Sequence, residues 1–130
     1  VAVVVIAEDD PDIRAALELN LTLDGHDVHP VADGTSAIET VRRLRPDVVL
    51  LDVRMPGRDG FATCRALKDD PATAAVAVVL LTAAAGAADR RRGEEAGADA
   101  FVTKPFAPAE LAEQVRRLAG GDRPGRRPPP

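Results

Sequence analysis

The sequence predicts an α/β fold: a single doubly wound (βα)5 domain built around a parallel sheet. Three observations carry this. Short runs rich in Val, Ile and Leu recur along the chain, at residues 3–6, 47–51 and 76–81, with a more polar one at 28–31 and a short one at 100–102. The segments between them repeat their apolar residues at helical spacing. The runs at 3–6, 47–51 and 76–81 are continuous rather than alternating, which suits strands covered on both faces.

Each element follows in order. Val3–Ile6 is the first strand. Asp10 and Pro11 then open a helix, the Asp as a cap and the Pro at a first helical position. Ile13, Ala16, Leu17 and Leu21 form its apolar stripe, and Gly25 ends it. Val28–Val31 is more polar and carries Pro30, which has no ladder donor and so belongs at a sheet edge. Asp33-Gly34 marks a turn, and Ser36 with Glu39 has capping-box spacing for the second helix. Ala37, Ile38, Val41 and Leu44 continue that helix until Pro46 stops it. Asp47–Leu51 is the third strand. Phe61, Cys64 and Leu67 outline a helix ending near Pro71, and Val76–Leu81 is the fourth strand. Residues 86–97 form a weak helix, with alanine on its inner face and glycine interruptions at Gly86 and Gly93. Ala100–Val102 is a short fifth strand. Pro108 opens the last helix, with Leu111, Val115 and Leu118 inward and Gly120-Gly121 at its end. Right-handed crossovers and a polar second strand at the edge give the flavodoxin-like order 2-1-3-4-5. The domain is expected over residues 1–119. Residues 120–130 read as a disordered tail or the start of a linker.

Composition removes several functions. The 130 residues carry 17 basic and 21 acidic groups, a net charge of −4, which argues against direct nucleic-acid binding. Three Phe with no Tyr or Trp make no stacking platform for bases. One Cys and two His supply neither a disulfide framework nor a Cys/His zinc site. No apolar run approaches the roughly 20 residues of a membrane span. Val1–Ile6 is short and meets acid at once, unlike a signal peptide. A soluble cytoplasmic protein is the expectation.

In an open parallel sheet, ligands bind beyond the carboxyl ends of the strands. Glu8 and Asp9 follow the first strand, Asp52 the third, Thr82 the fourth and Lys104 the fifth, then Pro105. Three carboxylates crowd only with compensation. A hard divalent cation relieves them, and oxygen-only ligands favour magnesium over zinc. Lys104 and the Thr82 hydroxyl suit phosphate oxygens. Asp52 lies between both sets, which suits a nucleophile for phosphoryl transfer.

At these residues the chain resembles the receiver domain of bacterial two-component response regulators. The matching segments are IAEDDPDIR at 6–14, VVLLDVRMPGRDG at 48–60, VLLTA at 79–83 and AGADAFVTKPF at 96–106. The resemblance runs from about Val3 to Ala119. It implies that Asp52 accepts a phosphoryl group from a histidine kinase or histidine phosphotransfer protein. It implies Mg2+ held by Asp9, Asp52, the Arg54 backbone carbonyl and, through water, Glu8, which stands where Asp is commoner. Thr82 and Lys104 then sense the phosphate, Ala83 leaves room beside it, and the Lys104–Pro105 bond is cis. Phe101 takes the aromatic switch position, more often Tyr. The fourth helix, fifth strand and fifth helix would then change shape to control an output domain or effector, with a phosphorylation-dependent homodimer as one outcome. Such a domain is a signalling phosphoacceptor, not a turnover enzyme.

Other readings compete. An aspartate-nucleophile phosphatase needs a second Asp two residues after the nucleophile, where Arg54 stands. A flavin-binding module needs a Gly/Ser/Thr-rich phosphate loop where Glu8-Asp9-Asp10 stands. A non-phosphorylated receiver-like binding module would not need the acidic set. Bland readings cover the rest: Asp10 a helix cap, Asp59-Gly60 a turn, Arg90-Arg91-Arg92 a solvated face, Cys64 a small core residue, His26 and His29 surface groups.

Overall fold

A computed structural model describes residues 2–83 and 86–120; the tail expected at 120–130 lies, from residue 121 on, outside the described residues. Ten elements alternate: β1 (Val3–Ala7), α1 (Pro11–Leu23), β2 (Asp27–Val31), α2 (Gly34–Leu44), β3 (Val48–Asp52), α3 (Gly60–Asp69), β4 (Ala77–Thr82), α4 (Ala87–Ala96), β5 (Ala100–Thr103) and α5 (Pro108–Ala119). The strands form one parallel sheet in the order β2-β1-β3-β4-β5. The fold is the predicted one, with the Pro30 strand at an edge.

Strand alternation splits the core into two layers. Val5, Ala7, Val49, Leu51, Val78 and Leu80 face α2, α3 and α4. Val4, Ile6, Val48, Leu50, Val79 and Leu81 face α1 and α5, meeting Leu17, Leu21, Leu111, Val115 and Leu118. Each central strand is therefore buried on both sides, which is why β3 and β4 read as unbroken apolar runs. Cys64 is buried in the first layer, its thiol against the Ala96 carbonyl.

The helix starts show local chemistry at work. Asp10 caps α1, accepting from the Asp12 and Ile13 amides. The start of α2 differs from the capping-box reading. Its cap is Asp33, whose carboxylate accepts from the Ser36 amide at 2.8 Å. Asp33 stands one turn earlier and in extended backbone (φ −152°), the conformation a cap requires. Ala16, placed on the α1 stripe by spacing, is exposed.

His26 departs from the surface reading as well. Its side chain is only 6% exposed. Nδ1 accepts the Ala2 amide at 3.1 Å and Nε2 lies 3.2 Å from Asp24. The α1–β2 turn folds back over the start of β1, which brings together groups 24 residues apart.

Candidate functional site

The carboxyl ends of β1, β3, β4 and β5 meet along one edge of the sheet. Asp52 is the last residue of β3 and Thr82 the last of β4, so strand pairing places both at that edge. Glu8 lies one residue past β1, where its amide still donates to the Val31 carbonyl of β2. Lys104 follows β5, and its amide donates to the Thr82 carbonyl at 2.7 Å. The Lys104–Pro105 peptide is cis.

Glu8, Asp9, Asp52, Arg54, Thr82, Ala83 and Lys104 line one cleft of about 770 Å³. Phe101 and Pro105 stand outside its lining. Glu8 and Asp52 are buried, as is Thr82, while Asp9, Arg54 and Ala83 are exposed at the rim. The Lys104 ammonium lies between two carboxylates, 2.7 Å from Glu8 Oε1 and 3.2 Å from Asp52 Oδ1. The Arg54 amide donates to Asp52 Oδ1 at 3.2 Å. Asp10 remains a cap, and its own amide donates to Glu8 Oε2 at 3.3 Å.

These contacts polarise the site. Burial pushes the Glu8 carboxyl up to about 7, and its hydrogen bond with Asp52 adds to the shift, against the pull of Lys104. Burial works to lower the Lys104 ammonium, but its hydrogen bond to Glu8 and the charge of Asp52 outweigh it, and the group rises. The Lys104 ammonium thus faces two acids at once.

Glu8, Asp9 and Asp52 each offer a carboxylate oxygen within 4.8 Å of the other two. All three donors are hard oxygens, with no His or Cys among them, and this donor set fits magnesium. A divalent cation bound there would offset the negative charge of the three carboxylates.

Sequence reasoning missed several features of the cleft wall. Asp59, read as part of a turn, caps α3 by accepting from the Ala62 amide at 2.8 Å. It also lines the cleft with Phe61 and Arg92. The Arg92 guanidinium sits 4.2 Å above the Phe61 ring and 3.9 Å from Asp59. Arg90 lies 5.5 Å over the Phe101 ring. Two of the three arginines read as a solvated face therefore contact rings. Nothing in a charge run reveals this, because the rings come from α3 and β5. Gly60 is a further case: a Cβ there would lie 2.4 Å from the Asp52 carbonyl oxygen.

Comparison with known proteins agrees with the fold. A family model described as the response regulator receiver domain matches residues 4–116. The chain is similar to the response regulator PleD of Caulobacter vibrioides, 44% identical over 116 residues, covering 89% of this chain and 25% of that protein. It is also similar to the transcriptional regulatory protein CseB of Streptomyces coelicolor, 43% identical over 127 residues, covering 92% of this chain and 53% of that one. The chain thus spans between a quarter and about half of these relatives. Among solved structures, the receiver domain of the sensor histidine kinase PA1611 from Pseudomonas aeruginosa superposes with a TM-score of 0.85 at 33% identity. That match covers 92% of this chain and 98% of the other, whose active-site cleft holds a coordinated magnesium ion.

Proposed function

This chain belongs to the response regulator receiver family, and from that premise we propose that it is a phosphorylation-controlled switch with Asp52 as the acceptor. The observation that carries the reading is the convergence of Glu8, Asp9, Asp52, Thr82 and Lys104 on one cleft, with the Lys104 ammonium bridging Glu8 and Asp52.

The donor is a phosphohistidine on a histidine kinase or phosphotransfer protein. An Asp52 carboxylate oxygen attacks phosphorus, a P–O bond forms, the P–N bond breaks, and the imidazole keeps the electron pair. Lys104 already lies 3.2 Å from the attacking carboxylate, so it is placed to hold the charge that grows on the phosphoryl oxygens. Thr82 offers its hydroxyl from the adjacent strand. Ala83 keeps the rim small beside it. Glu8, Asp9, Asp52 and the Arg54 carbonyl are the residues that would hold Mg2+. Bound there, the ion would neutralise carboxylate charge and polarise the phosphoryl oxygens.

The output is a change on the face formed by α4, β5 and α5, where the Phe101 ring of β5 meets Arg90 and Gly93 of α4. The added charge biases an existing two-state element. Output domains or effectors would read that face, and so would a second phosphorylated copy.

The deciding experiment is labelling with acetyl phosphate and Mg2+. Wild type is expected to take up acid-labile phosphate and Asp52→Asn to take up none, with both equally folded by circular dichroism. Undiminished labelling of Asp52→Asn overturns the assignment.

A further inference from the structure

Helix α4 is anchored by little. Of its ten residues only Gly93 and Ala96 are buried, and its cap, Gly86, makes no side-chain hydrogen bond. One of two buried positions is thus held by glycine, which favours helix several-fold less than alanine. The geometry explains the choice. A Cβ at Gly93 would lie 2.2 Å from Cε1 and Cζ of Phe101 and 3.0 Å from Leu80 Cδ1. The ring edge therefore rests against the helix backbone itself. Arg90 covers the ring at 5.5 Å. Leu80 Cδ1, the end of a flexible side chain on β4, is the more distant neighbour, so the ring is the closer obstacle. Any side chain at position 93 must expel the ring or lift the helix.

We propose that Gly93 is a positioning residue: it forms the notch that admits the Phe101 ring beneath α4 and so ties the place of α4 to the place of that ring. This deepens the switch reading and rests on it. Phosphorylation at Asp52 reaches α4 because the helix touches the sheet through a ring it cannot ignore. A methyl group at position 93 uncouples the two.

A cycle of four proteins tests this: wild type, Gly93→Ala, Phe101→Ala and the double variant. In urea, Gly93→Ala is expected to lower the folding constant by tenfold or more when Phe101 is present. With Phe101→Ala the same change is expected to raise it about fourfold, the ordinary gain of alanine over glycine in a helix. The same sign in both backgrounds, or a double variant less folded than Phe101→Ala, overturns the notch. The second readout is the amide spectrum with beryllofluoride and Mg2+. In wild type, shifts are expected around Asp52 and along residues 87–96. In Gly93→Ala and in Phe101→Ala the shifts around Asp52 remain and those along 87–96 are lost. Unchanged α4 shifts in these variants overturn the coupling. No shift around Asp52 in wild type would instead overturn the acceptor reading, and the coupling with it; the urea cycle would still decide whether the notch exists.

Discussion

Glu8 concentrates the electrostatics of the site in one residue. Its folded carboxyl titrates near 7, raised from 4.5 by burial first and by Asp52 second. Between those values the folded state binds more protons than the unfolded one, so this group's contribution falls as pH rises from about 4.5 to 7. In EDTA, wild type is expected to lose melting temperature between pH 5 and pH 8 relative to Glu8→Gln; parallel curves for the two proteins would refute this. The cation competes with that proton for the carboxylate. Magnesium affinity is therefore expected to weaken below pH 7 by up to about tenfold per pH unit, read by titration of amide shifts. Gly60 makes a different demand. A Cβ there meets Asp52 O at 2.4 Å and Val53 Cα at 2.8 Å, both backbone atoms that no rotamer moves. Gly60→Ala is expected to cost about 3 kcal/mol in urea unfolding, as an overpacked site does, and to slow phosphorylation by shifting Asp52. Asp52 was legible because acid after a buried strand is chemically loud. Gly60 was not, since its reason is a neighbour's carbonyl.

At the scale of elements, β3 and β4 contrast with α4. Every residue of β3 and of β4 is buried, whereas α4 buries two of ten and lacks a side-chain cap. Amide exchange is expected to be fastest in α4 among the helices and slowest in β3 and β4. Protection of α4 equal to that of β3 would contradict the weak anchoring. Strand and helix order was readable because β-branched runs and helical stripes are local patterns. Helix starts were readable only in part. Asp10 is followed by proline and announces α1, but the cap of α2 is Asp33 rather than Ser36. Both have capping chemistry, and the choice fell to the backbone path out of β2.

For the whole molecule, the cleft is shared among four strands, so its ligand should hold the sheet together. A beryllofluoride adduct at Asp52 binds only the folded state. At a hundred times its dissociation constant, in the presence of Mg2+, it is expected to add about 2.7 kcal/mol of stability, and nothing to Asp52→Asn. A thermal shift of equal size in both proteins would place the ligand elsewhere. Among the described residues no helix is long and apolar enough to cross a membrane. What the sequence determined by itself was the alternation of strands and helices, the edge position of β2 and the set of residues at the strand ends. These depend on periodicity, on proline's missing donor and on topology, all of which are carried locally. Only the tertiary structure decided that Lys104 bridges Glu8 and Asp52, that His26 is enclosed by Ala2 and Asp24, and that Gly93 lies against Phe101. Lys104 and Glu8 stand 96 residues apart, His26 and Ala2 24, and Gly93 meets Phe101 across the turn from α4 into β5. Their distances depend on how helices settle on the sheet, which no local pattern encodes.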